Sequence, residues 1–196
     1  MKRTIWAIVL AAGESQRMGA PKLLLPFGGK TVIEAVLDSV KASAVDGILV
    51  VVGGWAAPVE EKAKPYGARV ALNPDFRSGM LSSVQCGFRQ LPLEAEAALI
   101  FLADQPAIKP YVAEALVKAF RHTGRGIVIP VFDRRRGHPI LISAHYRAEI
   151  GSLDPEVGLR QLLDRHPQDV LEEPVDDPAI LRDLDTPEDY VRETKD

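Results

Sequence analysis

Ile5-Trp6-Ala7-Ile8-Val9-Leu10-Ala11-Ala12-Gly13-Glu14-Ser15-Gln16-Arg17-Met18-Gly19-Ala20-Pro21-Lys22 is a continuous apolar run that empties into a loop bounded by glycines. A run of this length, rich in Ile and Val and closed by Gly13, reads as a strand buried on both faces. The two glycines and the proline let the loop turn sharply and bring its backbone close to a ligand. Arg17 and Lys22 lie on that loop with no matching run of carboxylates. Free backbone N–H groups and fixed positive charge at the carboxyl end of a buried strand are the ingredients of a phosphate cradle.

Spacing removes two familiar cradles. A Walker A loop needs a glycine five positions before Gly29-Lys30-Thr31, and Leu24 stands there. No G-x-G-x-x-G follows the strand, which argues against an ordinary dinucleotide turn. Gly13 and Gly19 enclose five residues, a loop long enough to grip a nucleotide along its length.

The chain has 196 residues, 46% of them hydrophobic and 26% charged. Those values suit one soluble domain, residues 1–196, with a full core. A net charge of −3 gives no reason to expect nucleic acid, so any phosphate site depends on local placement of Arg and Lys. The single cysteine, Cys86, rules out an internal disulfide and fits a reducing cytoplasm. Lys2-Arg3 before an apolar run imitates a secretion signal, but cleavage there would delete the cradle strand. No stretch approaches the ~18 apolar residues of a membrane span.

Strand and helix patterns alternate along the chain. Thr31-Val32-Ile33-Glu34 is a capping box, with Ile33, Val36, Leu37 and Val40 on one helical face. Apolar strands are expected at 47–52, 68–72, 97–102, 127–131 and 140–142, with an edge strand at 170–175 interrupted by Pro174. Helices are expected at 58–64, 79–91 and 111–120, around Leu159-Leu162-Leu163, and after Thr186-Pro187. The pattern is α/β: a three-layer, Rossmann-like fold whose sheet is mainly parallel and covered on both faces. The short turn between Val131 and Ile140 makes that one pair antiparallel.

Asp104 is the first candidate acid, because it follows an all-apolar strand and a charge there needs a partner. Asp185, just before a capped helix, is the second. Two carboxylates from distant strand ends can hold one Mg²⁺ and leave positions for water and substrate phosphates. Local backbone capping is the alternative for both acids, and solvated surface charge the alternative for Lys22 and Arg17. No Ser-His-Asp or Cys-His arrangement stands out; His122, His145 and His166 lack metal-ligand spacing, and Cys86 reads as core.

The opening segment resembles the signature of the MobA-like nucleotidyltransferases, L-A-x-G-x-S-x-R-M-G-x-x-K. Leu10-Ala11-Ala12-Gly13 and Lys22-Leu23-Leu24-Leu25-Pro26 are most similar to its molybdenum cofactor cytidylyltransferase branch. Further family-like pieces follow in order: Asn73-Pro74 with Gly79-Met80, Asp104-Gln105-Pro106, Gly137-His138-Pro139 and Asp185-Thr186-Pro187. The resemblance implies transfer of CMP from CTP to molybdenum-bearing molybdopterin, with release of pyrophosphate. It implies that Leu10, Ala11, Ala12 and Gly13 bind the nucleotide together with Arg17 and Lys22. Lys22, Arg17 and Asp104 would be catalytic, Asp104 and Asp185 would hold Mg²⁺, and Ser82, Ser83, Gly137 and His138 would face the acceptor. Ala12, where the guanylyltransferase branch has glycine, would favour CTP over GTP. His138 would donate to a phosphate or change charge near neutral pH, whereas Arg134 to Arg136 read as a solvated hairpin tip. Two other readings remain open: another phosphorylated acceptor, such as a sugar phosphate or phospho-acid, and a chaperone handing finished cofactor to a molybdenum hydroxylase. Neither nucleic acid nor membrane is an expected partner.

Overall fold

The structure is a computed structural model describing residues 4–194; Lys2 and Arg3 of the signal-like start lie outside them. In chain order the regular elements are β1 (Thr4–Ala11), β2 (Pro26–Phe27), β3 (Lys30–Thr31), α1 (Val32–Ala42), β4 (Gly47–Val52), α2 (Ala56–Ala63) and β5 (Arg69–Leu72). They continue as α3 (Met80–Gln90), β6 (Ala95–Leu102), α4 (Pro110–Thr123), β7 (Ile127–Phe132), β8 (Arg135–Arg136) and β9 (Ile140–Ser143). The last are α5 (Arg147–Ile150), α6 (Arg160–Arg165), β10 (Val170–Pro174) and α7 (Pro187–Glu193).

The main sheet runs β10-β7-β9-β6-β1-β4-β5, with β8 folded back on β7. β1 is parallel to both β4 and β6, and only β9 and β8 run against their neighbours. This is the expected three-layer, mainly parallel α/β fold. β1 alternates its side chains between two cores. Ile5, Ala7, Val9 and Ala11 pack with Val36, Leu37 and Val40 of α1 and Leu116 of α4. Trp6 and Ile8 face Val84 and Phe88 of α3 and Leu162 of α6. Each fully buried Val, Leu or Ile side chain there contributes about 1.5–3 kcal/mol, so a slip by one residue would misplace the whole set.

Local chemistry explains the element ends. Thr31 and Glu34 form the reciprocal capping box that starts α1, and Thr186 with Asp189 does the same for α7. α4 runs three residues beyond the expected Phe120 and stops at Gly124, which adopts the left-handed conformation (φ 69°). Pro174 ends the outermost strand rather than interrupting it, since an edge tolerates a residue without an N–H. The sequence reading passed over the small β2–β3 hairpin, whose Gly28-Gly29 turn has φ of 55° and 82°. A Gly-Gly pair between extended residues is the signal that could have found it.

From β1 the chain moves outward to β4 and β5, then crosses to β6 on the other side of β1. The carboxyl ends of β1 and β6, at Ala11 and Leu102, therefore flank a topological switch point, where open α/β sheets leave a crevice.

Candidate active site

The crevice is a cleft of about 980 Å³ lined by residues from four segments far apart in sequence. From the first come Leu10 to Ser15 with Arg17, Met18, Lys22 and Leu23; from the second, Phe76, Arg77, Gly79, Met80 and Ser83. The β6 exit adds Leu102 to Asp104, and the segment before α7 adds Asp183 and Asp185. Two backbone hydrogen bonds fasten these segments: Ala103 N–H donates to the Leu10 carbonyl at 3.2 Å, and Leu184 N–H to the Asp104 carbonyl at 3.0 Å.

The cradle loop is held from both sides. Ser15 takes a positive φ of 56°, and its Oγ accepts from the Lys22 backbone N–H at 3.2 Å. Leu23 is buried, so the chain next to Lys22 is anchored while the side chain turns into the cleft. On the far side Gly54 N–H donates to the Ala12 carbonyl at 3.3 Å. A Cβ on Gly53 would lie 2.6 Å from that carbonyl and 2.7 Å from Phe76 Cγ. Glycine is thus required there by close approach.

At the acidic end, Lys22 Nζ lies 2.6 Å from Asp104 Oδ2 and 3.1 Å from Asp185 Oδ1. Arg17 Nη2 reaches the other oxygen of Asp185 at 3.0 Å. Burial alone would lower the Lys22 pKa, but the attraction and hydrogen bonds of Asp104 and Asp185 outweigh it and raise it above its ordinary value. The ammonium therefore stays charged at neutral pH. Asp104 and Asp185 are 82 and 163 positions from Lys22 in the chain, yet they meet at one atom.

The sequence reading missed three groups here. Asp183 lines the cleft beside the pair, and its Oδ1 accepts from Gln105 Nε2 at 2.6 Å. Burial first, and the charge of Asp104 second, push its carboxyl above the usual carboxylate range. Its alternation with Asp185 across Leu184 was a signal available in the sequence. Glu14 and Arg77 bridge the cleft mouth, with Arg77 Nη2 2.7 Å from Glu14 Oε1. They lie 63 positions apart, and no local pattern announces the pair.

The four expected acceptor-side residues differ in their surroundings. His138 is partly covered, and burial pushes its pKa down to about 4 against a smaller raising effect of Asp104. It is neutral near pH 7 and does not switch there. A Cβ on Gly137 would lie 2.3 Å from the Ile180 carbonyl, so this glycine serves tight packing. Neither residue is among those lining the cleft. Asn73, fully buried, donates to Ser82 Oγ at 2.9 Å and Ser83 Oγ at 3.1 Å. Ser82 in turn donates to the Gly79 carbonyl and stays out of the lining; of the two serines only Ser83 lines the cleft. Cys86 is buried, with Sγ 3.7 Å from the Leu72 carbonyl, as core packing requires. His166 pairs with Glu149, His145 bonds Ser143, and Arg134 to Arg136 are exposed at the β7–β8 tip.

Among the described residues no group of three or more His, Cys, Asp or Glu side chains stands ready to enclose a metal. The donors present fit a different kind of site. Asp104 and Asp185 aim hard oxygens at one positive centre, and a magnesium-type ion takes one or two carboxylates and completes its shell with water and phosphate.

The chain is also similar to known proteins in sequence and fold. Residues 7–170 match the MobA-like NTP transferase domain. The chain is 30% identical to nicotine blue oxidoreductase of Paenarthrobacter nicotinovorans, over 96% of its own length and 95% of that relative's. It is 25% identical to the molybdenum cofactor cytidylyltransferase of Escherichia coli K12, covering 94% of this chain and 92% of that one. It also matches the bifunctional protein GlmU of Bifidobacterium longum at 37% identity over 69% of its length, spanning only 31% of that relative. The crystal structure of Rv0371c from Mycobacterium tuberculosis H37Rv in complex with manganese superposes with a TM-score of 0.81 at 28% identity, covering 98% of each chain. The matched region covers most of the chain, and the chain belongs to the family of MobA-like NTP transferases.

Proposed function

We propose that the chain transfers CMP from CTP to the terminal phosphate of molybdenum-bearing molybdopterin and releases pyrophosphate. The observation that carries this reading is the meeting of Lys22, Asp104 and Asp185 beneath the glycine loop of β1. An acceptor phosphate oxygen attacks the α-phosphorus of CTP. A new P–O bond forms, the bond from the α-phosphorus to the bridging oxygen breaks, and the electron pair leaves with pyrophosphate. The attacking oxygen is already ionised at neutral pH, so no general base is required.

The protein's contribution is then placement and charge neutralisation. Backbone groups of Leu10 to Gly13 hold the nucleotide, and Arg17 and Lys22 hold the triphosphate, Arg by its two-pronged fork and Lys as a point charge. Asp104 and Asp185 would hold a divalent cation, which supplies charge neutralisation of the phosphates and of the departing pyrophosphate. Ser83 is the acceptor-side group that the cleft itself presents. The Ala12 methyl narrows the base pocket and favours a pyrimidine; a single methyl is worth about 1–3 kcal/mol of discrimination. Similarity to a molybdenum cofactor cytidylyltransferase over most of both chains supports the pterin acceptor, and a molybdenum hydroxylase is the client such a product serves.

Pyrophosphate release with each nucleoside triphosphate, with and without molybdopterin, tests the reading. Turnover is expected only with CTP and pterin together. Ala12→Gly is expected to shift the CTP-to-GTP ratio toward GTP by about 10-fold or more. Better use of GTP by the unsubstituted protein would overturn the nucleotide assignment, and turnover with a sugar phosphate in place of pterin would overturn the acceptor.

A further inference from the structure

The two carboxylates assigned to the metal are already engaged. Lys22 Nζ bonds one oxygen of each, at 2.6 and 3.1 Å, and Arg17 covers the second oxygen of Asp185 at 3.0 Å. The three side chains that share the ammonium contact are largely shielded, 14% exposed for Lys22, 21% for Asp104 and 33% for Asp185. Arg17, by contrast, is 72% exposed. Charges so shielded are screened far less than surface pairs, and a divalent cation arriving between the carboxylates would meet the ammonium at close range.

We infer that Lys22 couples nucleotide binding to metal binding: its ammonium serves Asp104 and Asp185 as their counter-ion until a triphosphate draws it away, and only then is the carboxylate pair open to a divalent cation. This rests on the nucleotidyl-transfer reading above. The anchored backbone at Lys22 and Leu23 leaves the flexible stem as the moving part, swinging from carboxylates to phosphate oxygens. Such coupling is reciprocal, so bound metal tightens nucleotide by the same factor. In the metal-free protein the lysine prevents adventitious cations from filling the site, and it keeps the carboxylates from repelling each other.

The test is a titration of the full chain with Mn²⁺, followed by the electron paramagnetic resonance of free Mn²⁺, in the absence of nucleotide. Lys22→Met and Lys22→Gln are both measured, the second keeping a polar group as a safeguard against misfolding of the first, and circular dichroism checks each. Both are expected to bind Mn²⁺ on the order of tenfold more tightly than the unsubstituted protein. Their thermal midpoints are expected to rise more steeply with Mn²⁺ than that of the unsubstituted chain. Folded variants that bind Mn²⁺ no more tightly, while the unsubstituted chain still binds CTP with Mn²⁺, would overturn the coupling and leave the nucleotidyl-transfer reading standing. An unsubstituted chain that binds Mn²⁺ neither alone nor with CTP would sink both.

Discussion

Asp104 shows how much one side chain depends on its neighbours. It leaves a strand whose residues Ala97 to Phe101 are almost wholly buried, and a bare carboxylate there would be costly. Lys22 compensates it at 2.6 Å. Asp104→Asn keeps the shape and an oxygen for that contact but loses the charge. The expected result is a folded protein whose turnover, measured as pyrophosphate release, falls by about a thousandfold, the loss of several kcal/mol of charge stabilisation. His138 makes the opposite point, because its environment disfavours the charge. Its folded pKa, about 4, lies below the ordinary 6.5. Its neutral burial therefore contributes stability that is present above pH 6.5 and lost as the pH falls toward 4. Denaturant unfolding of the metal-free chain across that window should show a loss on the order of 2 kcal/mol, and His138→Gln should remove most of it. The sequence identified Asp104, Asp185, Lys22 and Arg17 as chemically promising. It could not read the protonation of His138, because the burial that sets it is tertiary: the backbone N–H of His138 already bonds the Ile180 carbonyl, more than forty positions away in the chain.

At the scale of elements, α3 depends on a glycine that helix propensity alone would reject. A Cβ on Gly87 would lie 2.7 Å from Ile8 Cγ2 and 3.1 Å from its Cδ1. Replacing a mid-helix glycine with alanine ordinarily gains about 1 kcal/mol. Here the methyl must displace a fully buried branched side chain of the central strand, and overpacking of that kind costs about 1–3 kcal/mol. Gly87→Ala is therefore expected to be neutral to destabilising by about 2 kcal/mol in chemical denaturation. The capping boxes at Thr31 and Thr186 were legible because every partner lies within three residues. The close packing of α3 on β1 was not, since Gly87 and Ile8 are neighbours only once the sheet has formed. Ser82 and Ser83 teach the same lesson: a helix start was visible, but the buried Asn73 that holds both hydroxyls was not assigned that role.

For the whole molecule, the cleft exists only when the complete sheet is assembled. The family match ends at residue 170, yet Asp183 and Asp185 line the cleft and the Leu184 N–H ties their segment to the Asp104 turn. Ligand binding and global folding should therefore be linked. CTP with metal at 100 times its dissociation constant is expected to stabilise the chain against guanidinium by about 2.7 kcal/mol, and Asp185→Asn should abolish most of that increment at the same concentrations. Unchanged stabilisation in this variant would show that the last segment takes no part in binding. What the sequence by itself determined is the α/β class, the central buried strand, the glycine loop with its two cations, and the family, because each is written in contiguous residues whose periodicity and turn chemistry act locally. Only the tertiary structure decided which charges meet, which histidine stays neutral and which serine faces the cleft. Those outcomes depend on distances and burial between segments up to 168 positions apart, and the strand crossover that joins them carries no local residue signal.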